Sequence, residues 1–178
     1  MRTVALNLIL AAAESCGLPP AKVVERTEDM AAEDVLLGRP RLELGWQPAE
    51  FTRLRQRLAR VRSGSATHGR VRWAVYAVTL PVRCEVLSED EAWIEEFCRR
   101  FPLALPGQTA DPDGNAVRIT ARRAERGGYS YGSVQLERKL SNALYVDFSG
   151  FACEDRDTPW IRSVRFNPKY EVHHGQED

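Results

Sequence analysis

Lysine is nearly absent from this chain. Of its 25 basic residues only three are Lys and 22 are Arg, a skew of composition that carries no mechanism by itself. No apolar run reaches the 18 or so residues that a membrane-crossing helix needs. The N-terminal MRTVALNLILAAAESCG has a signal-like start, but Asn7 breaks the apolar run and Arg2 stands alone before it, so a helix is expected there. The four cysteines (Cys16, Cys84, Cys98, Cys153) form no CxxC pair, and three lie among apolar neighbours. That pattern fits small buried residues in a reducing compartment better than a disulfide framework or a zinc site. The chain also lacks GxSxG, a P-loop, GxGxxG and HExxH. No catalytic signature is present, so function has to come from binding or assembly.

What is present is ordinary in amount and unusual in placement. With 178 residues, 43% hydrophobic and 28% charged, the chain can bury one core. A single α+β domain over 1–166 with a polar tail over 167–178 is expected. The formal net charge is zero, yet residues 51–84 carry +8 with no acid and residues 85–114 carry −6. Opposite charge in adjacent blocks suggests complementary surfaces, within one subunit or between neighbours.

The basic block coincides with the longest β pattern. Val71, Trp73, Val75, Ala77 and Thr79 alternate with Arg72, Ala74, Tyr76, Val78 and Leu80. Fully extended, residues 70–86 would span ~55 Å at about 3.3 Å per residue, longer than a compact core covers. Residues 51–62 read two ways. Phe51, Leu54, Leu58 and Val61 have helical spacing, but the long strand needs a partner, and SGSATHG turns the chain straight back. An Arg-rich β-hairpin arm over 51–87 is favoured over a helix. The remaining pattern predicts a helix over 3–15, a short strand in KVVE and a surface loop or weak helical turn in TEDMAAEDVLLG. A clear strand follows in PRLELGW, with Leu42, Leu44 and Trp46 inward. SEDE then predicts a capping box of Ser88 and Glu91, opening a helix with Ile94, Phe97, Cys98 and Phe101 inward, Trp93 beside them and Pro102 as its stop. Strands are expected at 115–123, from Val134 and Leu136, at 142–153 and, after EDRDTP, at 160–166. The expected fold is therefore α+β, a mixed or antiparallel sheet with two helices on one face and the arm projecting.

Three clusters invite chemistry. DPDGN (111–115) fails as a calcium loop, because its Gly is fourth rather than sixth and the twelfth position is Arg122, not Glu; a turn is the better account. His173 and His174 are adjacent, point apart and have no partner ligands at the usual spacing, and His68 sits in a loop. No metal, cofactor or catalytic residue is assigned. Arg53, Arg55, Arg57, Arg60, Arg62, Arg70 and Arg72 could grip an acidic neighbour, stay solvated, or bind nucleic acid, in that order of preference. Phe51 and Trp73, the aromatics beside them, read as core, which weakens the nucleic-acid option.

The order of elements resembles the tail terminator and tail completion proteins of long-tailed bacteriophages and prophages. The resemblance rests on a leading helix, RLELGW, a long Arg-rich hairpin ending TLPVRCEVL, the acidic-capped EDEAWIEEFCRRFP, the breaker-rich LPGQTADPDGNAVRI, and LYVDFSGFAC. It implies a non-enzymatic subunit of a ring, commonly hexameric, that caps the tail tube and joins it to the neck and head connector. It also implies a location in the virion tail, host cytoplasm during assembly, DNA passing through the lumen, and no membrane. Another neck, tail or baseplate role, or a nucleic-acid module using residues 53–72, is the alternative.

Overall fold

A computed structural model describes residues 1–26, 38–61, 68–127 and 140–159 of the chain. The sequence-based expectations for 27–37, the turn over 63–67, the strand from Val134, the strand at 160–166 and the tail at 167–178 lie outside the described residues.

Among those residues the chain is α+β, with two helices and a seven-strand mixed sheet. Helix α1 (Arg2–Ser15) leads through a short 3-10 turn to β1 (Val23–Glu25), β2 (Arg41–Trp46), β3 (Glu50–Val61) and β4 (His68–Ser88). Helix α2 (Glu91–Ala104), β5 (Gln108–Ala110), β6 (Ala116–Gly127) and β7 (Leu140–Pro159) follow. The sheet order is β1-β2-β4-β7-β6-β5, with β3 added to β4. Among the described strand pairs only β1–β2 is parallel.

The central feature is the pairing of β4 with β7, which runs unbroken in direction from Ser88↔Leu140 to His68↔Pro159. A 21-residue strand extends ~70 Å at about 3.3 Å per residue. β2 flanks the near half of β4 through Arg41↔Leu87 to Trp46↔Val82, and β3 flanks the far half through Glu50↔Thr79 to Val61↔Arg70.

The helices cover only the near half. Ala5, Ile9, Ala12 and Ala13 of α1 and Ile94, Phe97 and Phe101 of α2 pack on Leu42, Leu44, Val82, Cys84, Val86, Val117, Ile119, Leu144, Val146 and Phe148. Along β4 that cluster fades at Leu80, and along β7 it stops at Phe148. Phe97 stacks between Trp93 and Phe101, with centroids 5.2 and 5.3 Å away. α1 closes in a Schellman turn: Leu18 N–H donates to Ala13 O across Gly17, whose φ is +87°, and Leu18 is fully buried. The guanidinium of Arg100 also donates to Ser15 O at the carbonyl end of α1.

Three sequence-based expectations change. The cap of α2 is Asp90, whose Oδ1 accepts from Ala92 N and Trp93 N, while Ser88 Oγ accepts from Asp90 N. Capping therefore falls two residues later than the Ser88–Glu91 box. Pro102 does not stop α2, which runs two residues further at the cost of the one N–H bond that a proline cannot give to the Cys98 carbonyl. The strand expected at 142–153 also runs further, because β7 continues through EDRDTP against the far half of β4.

The sheet face away from the helices carries a buried ionic row. Arg41, Glu43 and Glu85 are each at most 4% exposed. Glu43 and Glu85 are register partners, an arrangement that repels unless cations intervene. Arg41 Nε donates to Glu43 Oε1 at 2.8 Å, and the guanidinium groups of Arg83 and Arg26 lie 3.0 and 3.6 Å from Glu85. The Arg83 contact is one of charge, without hydrogen-bond alignment at the Glu85 oxygens. These positions alternate outward in RLELGW by pattern, yet they are buried as cross-paired charges.

Two stability predictions follow from these contacts. Asp90→Ala removes both cap bonds and is expected to cost about 1 kcal/mol in urea unfolding. Glu43→Ala removes a buried carboxylate hydrogen-bonded to Arg41 and is expected to cost about 1–3 kcal/mol in the same measurement.

Candidate functional site: the projecting arm

Past the helices, β3, β4 and β7 continue as a three-stranded arm. The segment 51–62, ambiguous by spacing, is a strand, and the hairpin expected from the sequence gains β7 as a third member. Register shifts between Arg53 and Gln56, between Arg57 and Ala59, and between Ala74 and Tyr76 mark bulges that raise the local twist. Residues paired directly across strands share a face. One arm face, continuous with the helix-covered side, therefore carries Phe51/Val78/Gly150, Arg53/Tyr76/Ala152 and Arg57/Trp73/Glu154. The other carries Thr52/Ala77/Phe151, Gln56/Ala74/Cys153, Arg72/Asp155 and Arg70/Asp157.

Arg72 fastens the arm to the body. Its Nε and Nη2 donate to Asp155 Oδ1 and Oδ2 at 2.8 and 3.0 Å, and its Nη1 donates to Asp113 O at 2.8 Å and Asn115 Oδ1 at 3.2 Å. The last two acceptors belong to DPDGN, which is a turn as its composition predicted. Asp111 accepts from the backbone of Asp113 and Asn115 and from the Asn115 side chain, and Gly114 holds φ at +78°. The bidentate bond and charge of Arg72 hold the Asp155 carboxyl below its ordinary range, and the Arg72 guanidinium is stabilised in return. For Asp111, burial alone would raise the pKa, but the hydrogen bonds from Asn115 and Asp113 bring it below the usual value.

These contacts reassign the charge blocks. Arg70 and Arg72 meet acids of their own chain on β7, at 3.7 and 2.8 Å. In the 85–114 block, Glu85 is buried beside Arg83, Asp90 caps α2, Glu96 pairs with Arg99 at 2.7 Å and Asp111 closes its turn. The acidic block thus spends much of its charge locally, and the described ion pairs of Arg70 and Arg72 are with acids of β7 instead. Arg53, Arg55 and Arg57 remain exposed with no acidic partner among the described residues. Arg62 and the side chain of Arg60 lie outside the described residues.

Phe51 corrects the sequence reading directly. It is 63% exposed rather than core, with Tyr76 edge-on at 6.2 Å. Its apolar character suggested burial; its place on β3, beyond the reach of the helices, prevents it. Trp73 is half-buried and lines a groove of about 310 Å³ with Arg53, Arg55 and Arg156. Arg156 is held by Glu154 at 2.6 Å. A second groove of about 580 Å³ lies at the arm root between Gln47–Glu50, Pro81, Arg122, Arg123 and Tyr145. Its cations are already engaged, Arg122 by Asp147 at 2.5 Å and Arg123 by Glu125 and the Tyr145 ring.

Among the described residues no cluster of three or more His, Cys, Asp or Glu is placed to hold a metal ion. The four cysteines are free, and burial pushes the Cys84 thiol up to about 12, so it acts as a small apolar side chain. No described helix is long and apolar enough to cross a membrane. No family model matches this chain, and no curated protein matches it either.

The Arg72 fastening makes a pH prediction. A depressed folded-state pKa contributes stability above the unfolded value, near 3.9 for Asp, and loses it as pH falls through the folded value. Wild type should therefore melt above Asp155→Asn at neutral pH, and the two melting temperatures should converge in acid as pH falls through the lowered folded-state value. A constant difference across that range would show that the Asp155 charge is not what holds the arm.

Proposed function

We propose that this chain is a non-enzymatic structural subunit of a phage or phage-like tail, of the terminator or completion kind, that assembles into a ring on the tail tube and joins it to the neck. The observation that carries this reading is an arm that outruns its own core. β3 pairs only with β4 among the described strands, so the outer backbone edge of Glu50–Val61 is open to strand addition. The body of a second copy is a different surface from that edge. A contact between unlike surfaces is heterologous and closes as a ring where its rotation divides a full turn. Rigid fixing of the arm by Arg72 lowers the ordering cost of such a contact. The resemblance in element order supplies the tail context, and a hexamer is the ring size that it suggests.

Light scattering on the eluting protein over a range of concentrations, with and without purified tail tubes, tests the proposal. The expected species is a closed oligomer, near six times the 20.1 kDa subunit mass, formed alone or on the tube end. Tubes that neither bind the protein nor change length in its absence would overturn the assignment.

A further inference from the structure

We propose that the side-chain face of the arm bearing Phe51, Arg53, Arg57, Trp73 and Tyr76, with Arg55 beside it, binds single-stranded nucleic acid. This surface is distinct from the backbone edge used in the assembly proposal, and it would serve a monomer as well as a ring.

Two independent observations converge on it. The first is charge left unspent. Apart from Arg39 and Arg118, the other arginines with described side chains have a partner, yet Arg53, Arg55 and Arg57 stand exposed with no acid against them among the described residues. They occur at alternate positions of one strand, so successive guanidinium groups recur about every 6–7 Å. The one other cation in the groove, Arg156, is held by Glu154 and adds little free charge.

The second is the rings. Phe51 is 63% exposed, although an apolar side chain of that size is normally placed in the core. Tyr76 meets its edge at 6.2 Å, which leaves the rings splayed rather than mutually stacked. Trp73 forms part of the wall of the groove that Arg53 and Arg55 also line. Cations and aromatic rings thus share one strip: Phe51, Arg53 opposite Tyr76, and Arg57 opposite Trp73. Single strands are held in this way, phosphates by Arg and unstacked bases by aromatic faces. Duplex DNA would use the arginines but has no free base to offer the rings. An acidic protein segment would likewise satisfy the arginines and leave Phe51 unused.

The test is fluorescence anisotropy of the full chain with a labelled oligothymidylate of about 16 nucleotides, at the upper end of single-module site sizes. Duplex DNA and polyglutamate serve as competitors. Binding should weaken with salt, and the slope of log K against log salt should shrink by about 2 in the Arg53→Ala/Arg55→Ala/Arg57→Ala variant, at ~0.7 per phosphate lost. Phe51→Ala should weaken binding about fivefold or more with the slope unchanged, as loss of base stacking requires. Because these side chains are exposed, both variants should melt as wild type does. The Arg99→Ala/Arg100→Ala/Arg118→Ala variant removes equal charge from exposed sites elsewhere and should leave the slope nearly intact. No binding at low salt would overturn the proposal. So would duplex competing as well as single strand, or polyglutamate binding that is indifferent to Phe51; the last result would assign the arm to an acidic protein.

Discussion

Everything distinctive about this molecule depends on the pairing of β4 with β7 over their whole lengths. Twenty-odd residues of antiparallel ladder cannot be roofed by two helices of 14 residues each, which rise about 1.5 Å per residue and span roughly 21 Å. The helices therefore cover one half, and the other half, where Val71 and Ala74 are still buried, must find its stability beyond their reach. It does so by adding β3, by bulges that twist the strands, and by cross-strand ion pairs on one face. Isolated hairpins are marginal in water, and a third strand changes that. The function proposed for the arm requires it to hold its shape before a partner arrives.

Much of this was legible in the sequence. The strand from residue 70, the RLELGW strand and the buried stripe of α2 are strongly periodic, and the structure reproduces them. The 51–62 segment shows why periodicity alone falls short. Apolar residues at helical spacing normally report a buried stripe, but here Phe51 is exposed and Leu54 and Leu58 are only half-buried. The bulges in β3 displace its side chains from strict alternation, so a strand mimics helical spacing. The strand state of EDRDTP was illegible for a related reason: acids and a proline are poor strand formers. Their strand state depends on the long-range partners Arg70 and Arg72, 83 or more residues away, which no local window contains.

The charge pattern teaches a similar lesson. Adjacent blocks of +8 and −6 suggested that the two would meet. Instead Arg70 and Arg72 draw on acids of β7 that lie much later in the chain, the two blocks touch at their border through Arg83 and Glu85, and further acids of the second serve a helix cap, a turn and a pair with Arg99. Sequence neighbours in charge are seldom spatial neighbours when β4 separates them by its full length. What the block arithmetic does show is where counter-charge is missing, and that deficit is what survives at Arg53, Arg55 and Arg57.

Arginine rather than lysine at position 72 matters for the geometry. One guanidinium donates at once to both oxygens of Asp155, to a backbone carbonyl of the turn and to the Asn115 side chain. A planar fork can reach four acceptors in fixed directions; an ammonium on a flexible stem holds charge but not direction. The turn at 111–115 belongs to the body and Asp155 belongs to the arm, so the fork fixes the angle between them. An arm whose angle is set can present its open edge and its aromatic–arginine face to partners in one orientation, as repeated addition around a ring demands. The same contact is titratable through its carboxylate, so the stiffness of the arm and the acid stability of the fold are set by one side chain.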